Sequence, residues 1–118
     1  MESVAQQHPV DLGHLARYTG GEAALDAEIL QLFATQSAGM LRELGGMLEM
    51  RDAIRWRQIV HSLKGAAMGI GAFGLADAAA EAEGVDPSLQ HADARRVLSA
   101  LNAKADAVWA FIAAYLAA

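Results

Sequence analysis

The feature that most constrains this chain is a helical spacing of its apolar residues. In the segment that follows Glu22, apolar residues recur at intervals of three and four positions, at Leu25, Ile29, Leu32, Phe33, Met40, Leu44, Met47 and Leu48. An α-helix brings residues at these intervals onto one face, so the segment is predicted to form a long amphipathic helix that buries that face. Gly45 and Gly46 weaken its last turns and leave its C-terminal boundary open.

Three later segments show the same period. Asp52 is a suitable N-cap for a helix over residues 52–70, whose buried stripe is Trp56, Ile59, Val60, Leu63, Ala67 and Ile70. A helix over about 72–83 offers for burial Phe73, Leu75, Ala76, Ala79 and Ala82. It is ended by Gly84-Val85-Asp86-Pro87. The last helix spans about 89–116 and has in register Val97, Leu98, Leu101, Ala105, Val108, Trp109, Ile112, Tyr115 and Leu116.

The N-terminal residues complete the organisation of the chain. Residues 1–9 are polar and are predicted to form a flexible arm. Asp11 can cap a short helix through Ala16 or Arg17, with Leu12 and Leu15 facing inward. No segment alternates with a period of two, and short loops join the four main helices. The predicted fold is therefore all-α: an antiparallel up-down-up-down four-helix bundle over residues 10–118, with the short N-terminal helix covering one end.

Composition excludes several classes of protein. The chain has 118 residues, 54% of them hydrophobic, which is enough for one globular domain with a substantial core. It contains no cysteine, so disulfides, thiolate nucleophiles and cysteine-ligated metals are excluded. The net charge of −5 argues against a nucleic-acid partner, and no run of 18 apolar residues predicts a membrane span. A cytoplasmic protein fits these features, because the N-terminal residues do not form a signal peptide.

The segment around His61 is the part of the sequence that suggests chemistry. Successive residues of a helix are separated by about 100° around the axis, which places His61 almost opposite the buried stripe and in solvent. Arg57, Lys64, Gly65 and Met68 lie on the same outward face. A glycine inside a helix costs about 1 kcal/mol relative to alanine, so the close approach of another group would explain Gly65.

Apolar residues flank this histidine on the outward face. Ile54 precedes His61 by seven positions and Met68 follows it by seven. A solvated helix face usually carries mixed charge, whereas apolar residues around a polar centre suggest a docking surface. Each residue also has an ordinary interpretation: a surface histidine is usually without function, Gly65 could permit helix packing, and Lys64 could be a solvated cation. The four histidines lack the i, i+4 spacing of a metal site, so no metal is expected.

His61-Ser62-Leu63-Lys64-Gly65 resembles the H-x-L-K-G signature of histidine-containing phosphotransfer (HPt) domains. The resemblance continues through Ala66-Ala67, Gly71-Ala72, and the L-A…E pattern of Leu75, Ala76 and Glu83. Upstream, Leu12, Leu15, Thr19-Gly20-Gly21-Glu22 and Ile29 to Phe33 are similar to the capping helix and the first long helix of that family. Motifs therefore cover about residues 10–83, and the helix pattern alone extends the similarity to the end.

The resemblance implies a phosphocarrier without a kinase or nucleotide site of its own. Histidine ionises near pH 6.5 in model peptides, so a neutral imidazole is available as a nucleophile near neutral pH. In the family, Nε2 of the residue that matches His61 carries the phosphoryl group, Lys64 would balance charge, and Gly65 would admit the incoming aspartyl phosphate. Expected partners are a sensor histidine kinase, of hybrid or simple type, and response-regulator receiver domains, which supply the Mg²⁺ and the acidic pocket.

The same resemblance predicts where a receiver would dock on what is expected to be a monomer. On the phosphohistidine helix the outward residues nearest His61 are Ile54, Arg57, Gln58, Lys64, Gly65 and Met68. The antiparallel preceding helix is expected to bring to the same level Gln36, Ser37 or Met40. Met40 and Met68 could instead simply fill the bundle, as flexible methionines often do.

Two other functions remain open at this point. One is the phosphoacceptor domain of a larger chemotaxis-type kinase, although a chain that starts at Met1 and ends on a complete helix favours a free-standing protein. The other is a four-helix adaptor that binds partners without chemistry, and the presence of His61 disfavours it. An enzyme is the weakest alternative, because no carboxylate pair and no nucleophile–base pair is evident from spacing.

Overall fold

The computed structural model describes residues 8–118, and this part of the chain contains helices and no strand. The helices are α1 (Leu12–Thr19), α2 (Ala23–Met50), α3 (Ala53–Gly69), α4 (Phe73–Glu83) and α5 (His91–Ala117). The all-α prediction is therefore confirmed. Most of the predicted arm, residues 1–7, lies outside the described residues. Of the remainder, the ring of His8 contacts the ring of Phe111 edge-on, with 6.2 Å between centroids.

The four longer helices form a bundle in which each packs against its neighbours in the chain, and α5 closes the ring against α2. Two cross-helix hydrogen bonds show how closely they pack. Trp56 Nε1 donates to the carbonyl oxygen of Ala82, which joins α3 to the end of α4 (3.1 Å). Trp109 Nε1 donates to Ser37 Oγ, which joins α5 to α2 (2.9 Å).

The helix boundaries follow from local chemistry. Asp11 and Asp52 cap α1 and α3 as predicted, accepting hydrogen bonds from the backbone nitrogens of His14 (3.1 Å) and Arg55 (3.0 Å). Helix α1 runs two to three residues beyond the predicted end, to Thr19, because Gly20 supplies the left-handed C-cap. The paired glycines at 45–46 do not end α2, which continues to Met50.

The buried stripe of α2 differs from the prediction at several positions. Leu32 is 56% exposed, whereas Leu30 and Leu41, which the sequence did not single out, are in the core. The true stripe runs through two polar residues, Asp26 and Ser37, so hydrophobicity alone could not trace it. Ser37 is accommodated because its hydroxyl donates to the carbonyl oxygen of Phe33 (2.7 Å) and accepts from Trp109.

The other predicted stripes are largely correct. All six residues predicted for α3 are buried. The exceptions elsewhere are Phe73, at the first position of α4, and Leu116, in the last turn of α5, which are both partly exposed because few neighbours cover a helix end. Trp109 and Tyr115 are half-buried against the core.

Helix α1 is fixed to the bundle at the turn between α3 and α4. The backbone nitrogen of Asp11 donates to the carbonyl oxygen of Gly71 (2.9 Å), and Val10 and Leu15 are buried beside it. Gly71 has φ +80°, and a Cβ there would stand 2.6 Å from the carbonyl oxygen of Asp11. Only glycine satisfies both the left-handed backbone and this close approach.

One helix of the described residues, α5, is long and apolar enough by length and composition to cross a membrane. Its most apolar window has a mean hydropathy of 1.3. Charged and polar residues interrupt this helix, so uninterrupted apolar runs in the sequence do not reveal it. The feature is weak support for a membrane span, because α5 supplies one face of the bundle core and core helices pass the same test.

Candidate functional site

His61 lies in the middle of α3 with its side chain 71% exposed. Val60, one position before it, and Leu63, two positions after it, are completely buried. The stripe that holds α3 in the bundle therefore points the histidine away from the core. This confirms the outward orientation that the helical spacing predicted.

Glu83, the last residue of α4, faces His61. The hydrogen bond between Trp56 and Ala82 attaches this end of α4 to α3, one residue before the carboxylate. Glu83 is mostly buried, with a side chain 24% exposed, so its position is set by packing as well as by charge. The fold thus places an acidic side chain against the histidine from a neighbouring helix.

The contact between the two side chains determines which ring nitrogen is free. Nδ1 of His61 lies 3.3 Å from Oε2 of Glu83. A carboxylate can only accept a hydrogen bond, so in the neutral imidazole Nδ1 carries the hydrogen and donates it. The lone pair is then on Nε2. An exposed imidazole with its lone pair on Nε2 can act as a nucleophile towards a group arriving from solvent.

Lys64 reaches the same carboxylate from the next turn of α3. Its Nζ lies 2.5 Å from Oε1 of Glu83, so the two oxygens of Glu83 are divided between Lys64 and His61. The hydrogen bond from Lys64 is the main reason why the pKa of Glu83 is lowered below its usual value; burial opposes this shift, and the hydrogen bond to His61 adds to it. Glu83 is therefore ionised at neutral pH.

An open groove of about 540 Å³ runs beside His61. Its lining residues are Ala53, Ile54, Arg57, Gln58, His61, Glu83 and Asp86. Ile54 is 77% exposed at one end of it, although a large aliphatic side chain is usually buried. On the other side of the histidine, a Cβ at Gly65 would meet no atom within 4 Å, so the missing side chain leaves open space rather than room for a packed neighbour.

The remaining predicted docking residues occupy different environments. Met68 is 50% exposed but lies outside the lining of the groove. Arg55 Nε and Glu43 Oε2 are 2.7 Å apart, so residue 55 of α3 lies level with residue 43 of α2. Because the two helices are antiparallel, residues 36–40 of α2 are then level with residues 58–62 of α3. Gln36 is exposed there and Met40 is half-buried against the core. Ser37 is at this level as well, but it is buried and bonded to α5, so it is not part of the outward face.

Glu83 and Asp86 are the residues of this site that the sequence analysis did not assign to it. The family pattern includes Glu83 but predicts no role for it. Both are 22 or more positions from His61 in the chain, and only the turn at Gly71 brings them close. The signal available in the sequence was weak: an acidic residue at the end of a predicted helix that returns towards the histidine.

The described residues contain no cluster of three or more histidine, aspartate or glutamate side chains able to hold a metal ion. What they contain is a helical bundle that presents one histidine to solvent, with a carboxylate on Nδ1 and a lysine and a glycine on the following turn. This arrangement defines the chain as a helical-bundle protein with an exposed surface histidine held by a carboxylate.

The chain belongs to the Hpt domain family, whose sequence model matches residues 28–111. The match begins in the first turns of α2 and ends near the end of α5, so it covers the four-helix bundle and leaves out α1. No curated protein and no solved structure matches the chain significantly. Hpt domains act in histidine phosphotransfer within phosphorelays, as phosphocarriers.

Proposed function

We propose that this protein accepts a phosphoryl group on Nε2 of His61 and passes it to an aspartate of a response-regulator receiver domain. The observation that carries the proposal is the contact between Nδ1 of His61 and Glu83, 3.3 Å, on an exposed face of the bundle. It leaves Nε2 both nucleophilic and accessible. The phosphoryl group comes from a sensor histidine kinase or from the aspartyl phosphate of another receiver.

No proton needs to leave the protein during the phosphoryl transfer. The lone pair of Nε2 attacks phosphorus, the bond from phosphorus to the donor's leaving group breaks, and the bonding electrons leave with that group. For an aspartyl phosphate the leaving group is the aspartate carboxylate. His61 becomes a phosphoimidazolium that keeps the hydrogen on Nδ1, where the anionic Glu83 offsets the new positive charge. The reverse sequence returns the phosphoryl group to a second aspartate.

The residues around His61 support this step in different ways. Glu83 fixes the ring, and Lys64 favours the ionised form of Glu83 by lowering its pKa. Phosphoryl transfer depends mainly on positioning and charge neutralisation, so few groups on the carrier are needed. Gly65 leaves the approach to the ring unobstructed. A receiver would dock over the outward face of α3, with Ile54, Arg57, Gln58 and Met68, and over Gln36 and Met40 of α2.

The cofactor and the setting of the reaction form part of the same proposal. Mg²⁺ belongs to the acidic pocket of the receiver, and the carrier brings no cofactor of its own. The protein works as a monomer in the cytoplasm. The exposed histidine in a bundle of the Hpt family supports a phosphocarrier over a passive adaptor.

Replacing the acceptor tests the proposal. The protein is incubated with a phosphorylated receiver domain and then treated with acid or alkali. We expect label on the wild-type protein that survives alkali and is lost in acid, as for a phosphorus–nitrogen bond, and no label on His61→Gln. The variant should fold normally, because this side chain is in solvent. His91→Gln, at the start of α5, is the matched control and should be labelled like the wild type. Equal labelling of His61→Gln would disprove the assignment.

A further inference from the structure

Two of the three cations on α3 are held in ion pairs within the described residues, and the third is not. The helix carries Arg55, Arg57 and Lys64 and no acidic residue, although the whole chain has a net charge of −5. Arg55 is paired with Glu43 (2.7 Å) and Lys64 with Glu83 (2.5 Å). Among residues 8–118, the ion pairs closer than 4 Å do not include Arg57. Arg57 is therefore the cation of this helix that none of these ion pairs holds.

Arg57 is also well placed with respect to the histidine. It precedes His61 by four positions, which puts the two side chains on the same helix face one turn apart. Both line the groove, whereas Lys64 does not. A group bound at Nε2 of His61 and extending into the groove would lie within reach of the long arginine side chain.

The acidic residue on the far wall of the groove does not engage Arg57 directly. Asp86 Oδ1 accepts hydrogen bonds from the hydroxyl (2.5 Å) and backbone nitrogen (2.8 Å) of Ser88. These bonds are the main cause of the lowered pKa of Asp86, and the positive charge of Arg57 makes a smaller contribution. Asp86 is thus stabilised by its own loop, and the guanidinium of Arg57 remains available to another anion.

Phosphorylation creates a need for such a cation. In the unphosphorylated site the charges of Glu83 and Lys64 cancel. A phosphoryl group brings up to two negative charges and the imidazolium one positive charge, which leaves the site about one charge negative. A further cation beside the phosphoryl group offsets this charge, and the side chain of Arg57 can supply it from one turn away on the same helix.

We propose that Arg57 is the residue that contacts the phosphoryl oxygens during transfer, from within the groove beside His61. The inference rests on the proposed role of His61 as the acceptor. It assigns different tasks to the two nearby cations. Lys64 acts through Glu83 and positions the ring, whereas Arg57 neutralises the transferred group.

Labelling by a small donor tests this role without a protein partner. Phosphoramidate transfers its phosphoryl group to Nε2 as its own phosphorus–nitrogen bond breaks and ammonia leaves. The rate is followed by ³¹P NMR and by phosphate-affinity gels. We expect Arg57→Gln to be labelled about tenfold more slowly, which corresponds to about 1.4 kcal/mol, and Arg57→Lys to recover most of the loss. High salt should narrow the difference between wild type and Arg57→Gln, because it screens an exposed charge.

A charge-matched variant provides the control. Lys104→Gln removes one exposed cation, whose side chain lies beside Gly74. Gly74 is nine residues from Glu83 along α4, which corresponds to about 14 Å. It should be labelled within twofold of the wild-type rate. Equal rates for wild type and Arg57→Gln would overturn the role of Arg57 alone. Arg57→Lys as slow as Arg57→Gln would also overturn it, since the effect would not be one of charge. Failure of the wild type to be labelled on His61 would overturn the acceptor assignment as well.

Discussion

At the scale of single residues, Glu83 distinguishes this site from an ordinary surface histidine. Its two oxygens are shared between the Nδ1 of His61 and the Nζ of Lys64. The carboxylate therefore orients the ring, selects the tautomer and holds the lysine in place. Lys64, three positions after the histidine, contacts the same carboxylate, which is 22 positions from His61 in the chain.

The ion pair between Lys64 and Glu83 predicts how stability depends on pH. The folded-state pKa of Glu83 is lower than its ordinary value of 4.5, chiefly because of the hydrogen bond from Lys64. A lowered pKa stabilises the folded state at pH values above the unfolded-state pKa, and this stabilisation is lost as the pH falls through the folded-state value. Lys64→Gln should therefore melt at a lower temperature than the wild type at pH 7.

The difference in melting temperature should shrink as the pH is lowered below 4.5 and Glu83 becomes protonated in both proteins. Thermal melts between pH 7 and pH 3 measure this. Lys104→Gln serves as the control for the loss of an exposed charge and should show no such convergence. A difference between Lys64→Gln and wild type that is constant down to pH 3 would show that the pair does not contribute through the ionisation of Glu83.

At the scale of helices, spacing predicted α3 more accurately than α2. Every apolar residue assigned to the buried stripe of α3 is buried, because that stripe contains no polar member. The stripe of α2 includes Ser37, which is hydrogen-bonded to Phe33 in its own helix and to Trp109 in α5. These bonds leave no pattern in the local sequence. The prediction of the site was limited in the same way, because a contact between two helices leaves no pattern in the sequence of either one. The outward position of His61 follows from the period of one helix, whereas the contact with Glu83 depends on the packing of two.

The apolar residues exposed on α3 predict a contact with the receiver. Met68 is 50% exposed, so Met68→Asp should change the free energy of unfolding by less than about 1 kcal/mol. It should weaken binding of a receiver that accepts phosphate from the wild type by at least about 1 kcal/mol, if Met68 becomes buried in the interface. Thermal melts and calorimetric titration measure the two quantities.

Leu32→Asp is the matched control, because Leu32 is a similarly exposed apolar residue on α2 and is not among the predicted docking residues. It should change neither quantity strongly. A large loss of stability in Met68→Asp would show that Met68 supports the bundle. Unchanged stability together with unchanged affinity would place the docking surface elsewhere on the molecule.

At the scale of the whole molecule, α1 is an integral part of the domain although the family match begins after it. Val10 and Leu15 are buried against the bundle, and Asp11 is hydrogen-bonded to Gly71. Burial of a valine or leucine side chain contributes about 1.5–3 kcal/mol. A chain that begins at Glu22 should therefore lose about 3–6 kcal/mol of stability.

Thermal and chemical denaturation of the shortened chain measure this loss. A chain that begins at His8 is the control, since it keeps α1 and every described contact, and we expect it to be nearly as stable as the full chain. The site itself lies on α3 and α4, so the shortened chain should still be labelled on His61 at temperatures where it remains folded. Equal stability of the two shortened chains would show that α1 is only loosely attached.

The hydrogen bond between Asp11 and Gly71 has a mechanical consequence. It closes a loop of chain that contains all of α2 and α3, and it lies where the N-terminal segment enters the bundle. Tension applied through the N-terminus would reach this single bond and the buried Val10 before it reached any of the longer helices. A pulling experiment is therefore expected to release α1 as a first, small extension, while the helix that carries the histidine remains folded until a higher force.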